Sequence, residues 1–595
     1  MSRFLFPGAL ACIATVLCVG NFRHTPTIDE CGHLAAGISH HDLGRYDLYA
    51  VNPPLVRLLA ALPAHLSGYT TDWHGYDSRS DVRAEFRFGR RLFKEHGADL
   101  LMPLGVGRVL CVLFFLVGAV ACSRWCGAEK PSFLAAGGLW MFSPTILGLG
   151  GLICPDVAAA ALGLVAVKSL QRWGGDPSLS NLAAFALCVS AACLTKFTWC
   201  FLLPVLMLFS LPFSKVKRRI SAMLMHLTVV AMCFLLLANC LYGFTGSFRR
   251  FGDVRFVSDT LSIPVKLSTQ RRNRFEETML GAVRLPFSEK ILQGVDIQKR
   301  DFEQGFRSYL MGEWKKGGWW YYYLVGFLVK EPIGFQLMLY VSILHGLYHW
   351  KRWTKHSIRE WSFIVLPPLL IFGLVSSQTG FNHHMRYVLP AYPFLFIIAA
   401  RTVTLGKFCK WFSYGCMTWQ VVAVLWFAPH WMSYFNEAAG GPQNGHDWLV
   451  DSNIDWGQDI LGLKWWQDEH PEVDLQAALF TGFDPADIGL KFRLPAPYLK
   501  GQPDVVSKDG LRGPQAGWYA VSVCQLKGHS FSVPNGNGDW EWSDGHFTYF
   551  MEHFQPVDMI GYSIYIYHIT EQQAAEVREQ LRGAEEVLTT EARTR

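Results

Sequence analysis

The sequence has few charged residues, and its C-terminal part has almost no cysteine. Charged residues make up only 17% of the 595 positions, against 51% hydrophobic and 14% aromatic residues. Cys524 is the only cysteine beyond Trp431, so no disulfide framework supports the C-terminal part. The formal net charge of +6 is mild, and we expect no nucleic-acid partner. A chain this apolar is not an ordinary soluble protein.

The hydrophobic residues are gathered into runs rather than spread evenly. Residues 109–122, 220–240 and 361–375 carry few or no charges over lengths that approach or reach a bilayer crossing. Backbone in hydrocarbon must satisfy its own hydrogen bonds, so these runs should be helices. The sequence therefore predicts an α-helical polytopic membrane protein.

The apolar runs predict about eleven spans. The first, 4–20, also resembles a cleaved signal peptide, but it is long and lacks a clear cleavage site. The other predicted spans are 102–122, 131–149, 157–170, 181–194, 199–213, 220–244, 332–348, 361–375, 387–400 and 411–427. Two polar regions, 21–100 and 245–318, interrupt this series as outer loops of a membrane unit, 1–428. A C-terminal α/β domain, 429–595, follows that unit. Strands are expected in that domain at 517–524 and 563–568, and a charged helix at 571–595.

The orientation follows from basic residues in alternate connections, because such residues favour the cytoplasmic side. The scheme places both polar regions, the turn at 153–156 and the C-terminal domain outside. Together with the absence of an Asn-x-Ser/Thr sequon, it favours a bacterial inner membrane. The basic residues are Arg124 and Lys130; Lys168 and Arg172; Lys215, Lys217, Arg218 and Arg219; Lys351, Arg352 and Lys355; Arg401, Lys407 and Lys410.

Acidic residues on the predicted outer side are the first candidates for chemistry. Asp29 and Glu30 follow the first span, with His33 close behind, and Asp156 ends another outer connection. The simpler interpretation is an ordinary solvated loop. Two carboxylates that converge on one outer pocket could instead share a general-base role and bind a divalent cation. Nearby, Asn52 opens a Pro-Pro turn that would send a short helix, 55–66, along the membrane interface.

Cations near the outer ends of spans could bind a phosphate. Arg386 and Lys330 are the candidates, because charges at the membrane boundary mark functional sites by default. Arg386 could otherwise extend its head group to the membrane surface, and Lys330 could pair locally with Glu331. The basic stretch 83–94 could meet phosphates, although a solvated helix face is the simpler interpretation.

Adjacent histidines, His383 and His384, suggest a metal site or contacts with a substrate. Neighbouring side chains on a helix point in different directions, so separate polar contacts are favoured over a shared ion. Residues 451–462 begin like a calcium loop, but the glycine comes one position late and Gly462 replaces the final glutamate, which excludes an EF-hand. A turn that caps a helix near Asp459 is the better account. The aromatic cluster 319–323 is an interfacial belt or a stacking platform for a sugar.

These residues form a pattern that resembles one protein family. The segments that carry the pattern are similar to the first outer loop, the second acidic loop and the start of the outer domain of bacterial dolichyl-phosphate-mannose-protein mannosyltransferase-like proteins. That group includes the aminoarabinose transferases of lipid A and belongs to the GT-C fold. The residues that carry the resemblance are Thr27-Ile28-Asp29-Glu30 with His33 and Gly37, Asn52-Pro53-Pro54-Leu55 with Leu62-Pro63, Pro144 to Asp156, and Ser452 to Asp459 after Tyr434-Phe435-Asn436.

The resemblance implies transfer of a sugar from a polyprenyl phosphate to a protein hydroxyl or glycolipid outside the cytoplasm. Asp29 would be the catalytic carboxylate, with Glu30 in support and Asp156 in the same pocket. Asp29 and Asp156 are also the possible ligands of a divalent cation, and no other cofactor is expected. The expected substrate-binding residues are His33, Asn52, Lys330, His383, His384 and Arg386.

Two other function classes remain open on the sequence. A transporter or lipid flippase would also place charges within a membrane, but such proteins usually have repeated halves, and no internal repeat is visible here. A non-catalytic assembly subunit would use the C-terminal domain as a binding module. Replacement of Asp29 separates both from a transferase, because only a transferase loses turnover.

Overall fold

The computed structural model of this chain describes residues 2–76, 83–127, 130–210, 220–265, 270–352 and 354–594. Helices dominate the first part of the chain, as the apolar runs predict. They are α1 (Ser2–Gly20), α2 (Ile28–Leu43), α3 (Leu55–Leu66), α4 (Ala84–His96), α5 (Leu101–Trp125), α6 (Pro131–Met141), α7 (Pro144–Gly150), α8 (Asp156–Gly175), α9 (Leu179–Cys193), α10 (Thr198–Ser210), α11 (Ile220–Leu241), α12 (Glu289–Gln304), α13 (Tyr322–Lys330), α14 (Ile333–Tyr348), α15 (Lys355–Ser377), α16 (Tyr392–Ala400) and α17 (Lys407–Trp426).

Several helices are long and apolar enough to cross a membrane. Among the described residues there are four, within Ala84–Trp125, Ser221–Leu241, Ser357–Ser377 and Met385–Thr404. Two bent pairs raise the number to six, and α1, α3, α9 and α10 are shorter apolar helices. A helical membrane protein is thus confirmed by length and composition, whereas the count of eleven spans stays a prediction. The basic run Lys215, Lys217, Arg218 and Arg219 lies outside the described residues.

The predicted span 131–149 is broken in two. Helices α6 and α7 meet at an angle of 57°. Ser143 stands at the break, where its hydroxyl accepts a hydrogen bond from the backbone N–H of Ile146, and Pro144 opens α7. Proline fits the first turn of a helix but cannot continue the preceding one, so a new axis begins there. A similar break of 119° separates α13 from α14, just before Pro332 at the N-terminus of α14.

The polar region after α1 folds into three helices, α2, α3 and α4, and α2 packs closely on α3. The structure places α3 at Leu55–Leu66, as the Pro-Pro turn and the apolar pattern predict. Gly37 of α2 faces α3, and a Cβ there would lie 2.6 Å from the carbonyl oxygen of Arg57. Only glycine permits this approach, which fixes α2 against α3. The second polar region contributes α12 and two short hairpins: β1 (Ser262–Pro264) with β2 (Arg271–Asn273), and β3 (Arg307–Leu310) with β4 (Glu313–Lys316).

The chain beyond residue 428 combines strands and helices. Its four-stranded mixed sheet has the order β5-β6-β10-β9, with β5 parallel to β6 and the other pairs antiparallel. The strands predicted at 517–524 and 563–568 are confirmed as β6 and β10, and the terminal helix as α21. The elements are β5 (Leu475–Ala478), β6 (Gly517–Ser522), β7 (Phe531–Pro534), β8 (Trp540–Ser543), β9 (Asp558–Ile560), β10 (Ile564–Ile569), α18 (Ile460–Glu469), α19 (Val523–Leu526), α20 (Tyr549–His553) and α21 (Glu571–Thr594).

The segment before α18 packs directly on the loop between α1 and α2. The backbone N–H of Ile28 donates to the carbonyl oxygen of Trp456 at 3.0 Å, and that of Thr25 to the carbonyl of Gln458 at 3.0 Å. The hydroxyl of Thr25 also donates to the carbonyl of Gly457, at 2.7 Å. All of these groups are buried, so the bonds form out of competition with water. The C-terminal part therefore helps to build the surroundings of Asp29.

Candidate functional site

A cavity of about 460 Å³ opens between the N-terminal ends of α2 and α8 and the segments before α10 and α16. It brings together residues that are far apart in the sequence, and many of them are charged. The charged side chains that line it are Asp29, Arg83, Asp156, Lys196, Lys299, Asp301 and Arg386.

Asp29 and Arg386 form the first ion pair in this cavity. Asp29 lies in the first turn of α2, where a carboxylate is stabilised by the helix dipole. Nη2 of Arg386 donates to Oδ2 of Asp29 at 2.9 Å. The guanidinium carbon of Arg386 lies 4.2 Å from the centre of the Trp456 ring, a cation–π contact that holds the charged group in place. One buried cation is thus fixed beside the predicted catalytic carboxylate.

Asp156 lies on the other side of the same guanidinium. Its Oδ2 is 3.7 Å from Nη1 of Arg386 and has no hydrogen-bond partner among the described residues. Its Oδ1 accepts a hydrogen bond of 2.6 Å from Nζ of Lys196, which stands between α9 and α10. The structure thus brings Asp29 and Asp156 to the same pocket, as the sequence predicts.

Glu30 does not line the cavity, in contrast to its predicted place beside Asp29 in the reaction. It is fully buried, and its carboxylate accepts hydrogen bonds from Arg108, at 2.6 and 2.9 Å, and from the backbone N–H groups of Thr27 and Ile153. Arg108 belongs to α5, and Ile153 precedes Asp156 by three residues. Glu30 therefore fastens the Asp29 loop to the Asp156 loop and is a positioning residue. The Arg108 charge and these hydrogen bonds outweigh the effect of burial and lower the pKa of Glu30.

Three of the predicted substrate-binding residues, Lys330, His33 and His383, lie outside the cavity. Nζ of Lys330 donates to the carbonyl oxygens of Met432 and Asn453, at 2.7 and 2.5 Å, and so ties α13 to the C-terminal part. His33 is buried behind Tyr49, with the ring centres 4.1 Å apart, and neither ring nitrogen has a hydrogen-bond partner in the described chain. Asn52 lines the cavity, as predicted.

The two adjacent histidines both lie near the carboxylate of Asp451, and Nδ1 of His384 is 3.6 Å from its Oδ1. His384 lines the cavity, and its Nδ1 lies 2.5 Å from the hydroxyl oxygen of Ser452. His383 does not line the cavity, and its Nδ1 lies 3.6 Å from Oδ2 of Asp451. Asp459 stands at the N-cap position of α18, as expected, but its side chain makes no capping bond and instead accepts from Ser563 at 2.7 Å.

Asp29 and Asp156 do not fit a shared divalent cation in this arrangement. The guanidinium of Arg386 lies next to both carboxylates, and the ammonium of Lys196 binds the second one. A divalent ion in the same place would be repelled by two fixed positive charges at short range. The site supplies its own cations.

Lys196 and Trp456 are among the residues of the site that were not found from the sequence. Lys196 could have been, because the alternating scheme that puts 153–156 outside puts the connection between the spans 181–194 and 199–213 on the same face. Trp456 stands within the 452–459 segment, but no local pattern indicates that its ring lies against Arg386. The aromatic cluster 319–323 contributes Tyr323 to the cavity wall. Cys31 and Cys154 are buried free thiols.

One flank of the cavity is apolar and open. Phe201 of α10 and Leu374 of α15 line it, and they are 54% and 41% exposed. Phe197, Phe302 and Val375 extend this wall toward the charged end. Exposed large apolar residues on apolar helices are suited to face lipid. The fold and this cavity define a helical membrane protein whose charged site adjoins a flank suited to lipid.

No protein-family model matches the chain, and no curated protein matches it in sequence. Three solved structures are similar in fold. ArnT from Cupriavidus metallidurans in the apo state is 11% identical over 92% of this chain and 99% of that one, with a TM-score of 0.45. The same protein bound to undecaprenyl phosphate is 12% identical over 94% and 97%, with a TM-score of 0.39.

The third structure is the archaeal oligosaccharyltransferase AglB from Archaeoglobus fulgidus in complex with an inhibitory peptide and a dolichol-phosphate. It is 12% identical over 72% of this chain and 58% of that one, with a TM-score of 0.40. Both neighbours are glycosyltransferases of the GT-C fold, the class that the sequence resembles.

Proposed function

We propose that this protein is a membrane glycosyltransferase that moves a sugar from a polyprenyl-phosphate donor to a hydroxyl acceptor, with inversion at the anomeric carbon. The observation that carries the proposal is one cavity that combines the Asp29 carboxylate, the cations Arg386 and Lys196, and an apolar flank at Phe201. In the proposed reaction the cations bind the donor phosphate, the apolar flank holds the lipid chain, and the carboxylate activates the acceptor hydroxyl.

Asp29 is the catalytic carboxylate of the proposed reaction. The acceptor oxygen attacks the anomeric carbon, its proton passes to Asp29, and the bond from that carbon to the phosphate oxygen breaks. The bonding electrons leave with the polyprenyl phosphate. Arg386 and Lys196 stabilise the negative charge that develops on the leaving phosphate, and their fixed positions require no reorganisation during the reaction. Glu30 acts only by holding the Asp29 loop in place.

The donor lipid lies along the apolar flank in this proposal. Its chain follows Phe201 and Leu374 toward the bilayer, and its phosphate meets the cations at the inner end of the flank. The alternating basic connections support an active site on the outer side of a bacterial inner membrane, and the sequence resemblance supports a mannosyltransferase-like donor. The acceptor is a protein hydroxyl or a glycolipid.

A membrane unit, 1–428, and an outer domain, 429–595, are the proposed functional divisions, with acceptor selection assigned to the second. Deletion of the outer domain is a poor test of that assignment, because it would also remove Trp456 from beneath Arg386. Substitutions at exposed positions of this part, such as Asp558 of β9 and His568 of β10, test acceptor choice while leaving the cavity intact. An unchanged acceptor profile across such variants would count against the assignment.

The reaction is tested with labelled polyprenyl-phosphate sugars in membranes that contain the protein. We expect consumption of one donor lipid and appearance of the label on an acceptor, both abolished by Asp29→Asn. A flippase would redistribute the donor across the bilayer without breaking the sugar–phosphate bond, and an assembly subunit would do neither. The proposal would be contradicted if folded protein moved the donor across the bilayer with the sugar–phosphate bond intact, or if it neither moved nor consumed the donor.

A further inference from the structure

Three residues outside the cavity bring metal-ligand atoms together. They are His383, in the segment before α16, Asp451, before α18, and His529, just before β7. One ligand atom from each lies within 4.8 Å of the others. None of the three lines the cavity proposed for sugar transfer.

The distances within this cluster match a tetrahedral metal site. Oδ2 of Asp451 lies 3.6 Å from Nδ1 of His383 and 3.4 Å from Nε2 of His529. Ligands about 2.0–2.1 Å from a tetrahedral zinc ion stand roughly 3.3 Å apart. Ordinary hydrogen bonds between these atoms would be shorter, at about 2.7–3.0 Å. The spacing is wide for direct bonding and suited to an ion between the three atoms.

The histidines lack the partners that a purely structural pair would have. Both ring nitrogens of His529, and Nε2 of His383, are buried without a hydrogen-bond partner in the described part of the chain. Buried polar atoms are normally satisfied, so orphaned ones require an explanation such as an absent ion. Asp451 itself adopts the left-handed conformation, with φ of 61°, which turns its carboxylate toward the two rings.

An aromatic shell surrounds the cluster. The ring centre of His383 lies 4.9 Å from that of Phe381, and the ring of His529 lies 5.0 Å from Phe480 and 5.3 Å from Trp314. An apolar shell excludes water and strengthens the binding of a cation to its ligands. The cluster is therefore built as an enclosed site rather than as a solvated patch of acidic residues.

We propose that His383, Asp451 and His529 bind one divalent transition-metal ion of the zinc class. Two imidazoles and one carboxylate suit zinc, and they suit calcium or magnesium poorly because those ions prefer oxygen ligands. Water completes the tetrahedron. The ion joins the membrane part, through His383, to two segments of the C-terminal part.

The position of the ion gives it a stabilising role beside the cavity. His384 follows His383 directly and forms part of the cavity wall, where it contacts Ser452, the neighbour of Asp451. A bound ion that clamps His383 to Asp451 therefore fixes the orientation of this wall. Because binding to the folded state adds to stability by mass action, loss of the ion lowers the thermal midpoint.

Metal analysis of the full-length protein in detergent, purified without a metal-affinity tag, is the direct test. We expect one zinc ion per chain, removal by a chelator with a fall in thermal midpoint, and recovery on addition of zinc alone. His529→Ala should lose the metal. His446→Ala is the matched control, because His446 also lies 3.6 Å from an aspartate, Asp447, but belongs to no three-ligand cluster among the described residues.

Cobalt spectroscopy keeps the test decisive if the alanine variant does not fold. Cobalt-loaded wild-type protein should give the intense visible bands of a tetrahedral ion. His529→Cys should retain the ion and add a thiolate-to-cobalt charge-transfer band. The proposal would be overturned if the wild-type protein held no more metal than His529→Ala. It would also be overturned if the cobalt bands of His529→Cys were the same as those of the wild type.

Discussion

Nη2 of Arg386 donates a hydrogen bond of 2.9 Å to Oδ2 of Asp29, across 357 positions of sequence. The pair links the first turn of α2 to the segment before α16, and Trp456 supports the guanidinium from the C-terminal part. Three regions of the chain thus meet at one carboxylate. Arg386 both orients Asp29 and faces the position that we propose for the leaving phosphate.

Replacement of Arg386 by lysine should impair transfer although the charge is kept. An ammonium cannot reach Asp29 and Asp156 together, and it does not stack on Trp456 as a planar guanidinium does. Loss of one such donor to a developing charge typically lowers kcat by about 10²–10³-fold. Steady-state kinetics with a labelled donor measure the effect, and Arg272→Lys, on an exposed hairpin, serves as the control. A variant with wild-type kcat would exclude Arg386 from the reaction.

Lys196→Gln should weaken binding of the donor more than it slows the chemical step. A hydrogen bond to a charged group contributes about 1.5–3 kcal/mol, which corresponds to a loss of affinity of roughly tenfold or more. Titration with a polyprenyl phosphate that lacks the sugar isolates the phosphate contact. Lys464→Gln, which removes an exposed ion pair on α18, should bind normally. Equal affinity in the two variants would place the phosphate elsewhere.

Glu30→Ala should destabilise the protein, because it leaves Arg108 buried without its ion-pair partner. Breaking a buried pair in this way costs about 3–5 kcal/mol. The thermal midpoint in detergent should fall well below that of Asp474→Ala, which breaks an exposed pair with Arg493. A wild-type midpoint in Glu30→Ala would show that the Glu30–Arg108 pair does not hold the loop.

The sequence predicted the acidic site because charges beside apolar runs are conspicuous and alternate spans place them on one face. It also predicted α3, β6, β10 and α21 from local pattern alone. It failed where the answer depends on the direction of a side chain. Asp29 and Glu30 are adjacent, yet Asp29 faces the cavity and Glu30 faces Arg108 of α5, a difference that only the tertiary packing decides. For the same reason, the sequence could not show that the ammonium of Lys330 binds the carbonyl oxygens of Met432 and Asn453 outside the cavity.

Stability of the C-terminal part should depend on pH through Asp487. Burial, together with repulsion from Asp484 and despite attraction to Lys94, raises the pKa of Asp487 to about 6. The folded state therefore holds this proton more tightly than the unfolded chain, whose pKa is about 3.9, and the stabilisation is lost as pH rises from about 4 through 6. Asp487→Asn should raise the thermal midpoint more at pH 7.5 than at pH 4.5. An equal shift at both pH values would contradict this account.

The most direct measurement is transfer of label from a polyprenyl-phosphate sugar by Asp29→Asn. The substitution keeps the shape of the side chain but removes the base, so we expect transfer to be lost while the thermal midpoint and donor binding stay near wild type. Asp72→Asn, in the same polar region but largely exposed, should transfer normally. Transfer by Asp29→Asn at the wild-type rate would contradict the assignment of the catalytic carboxylate and with it the proposed reaction.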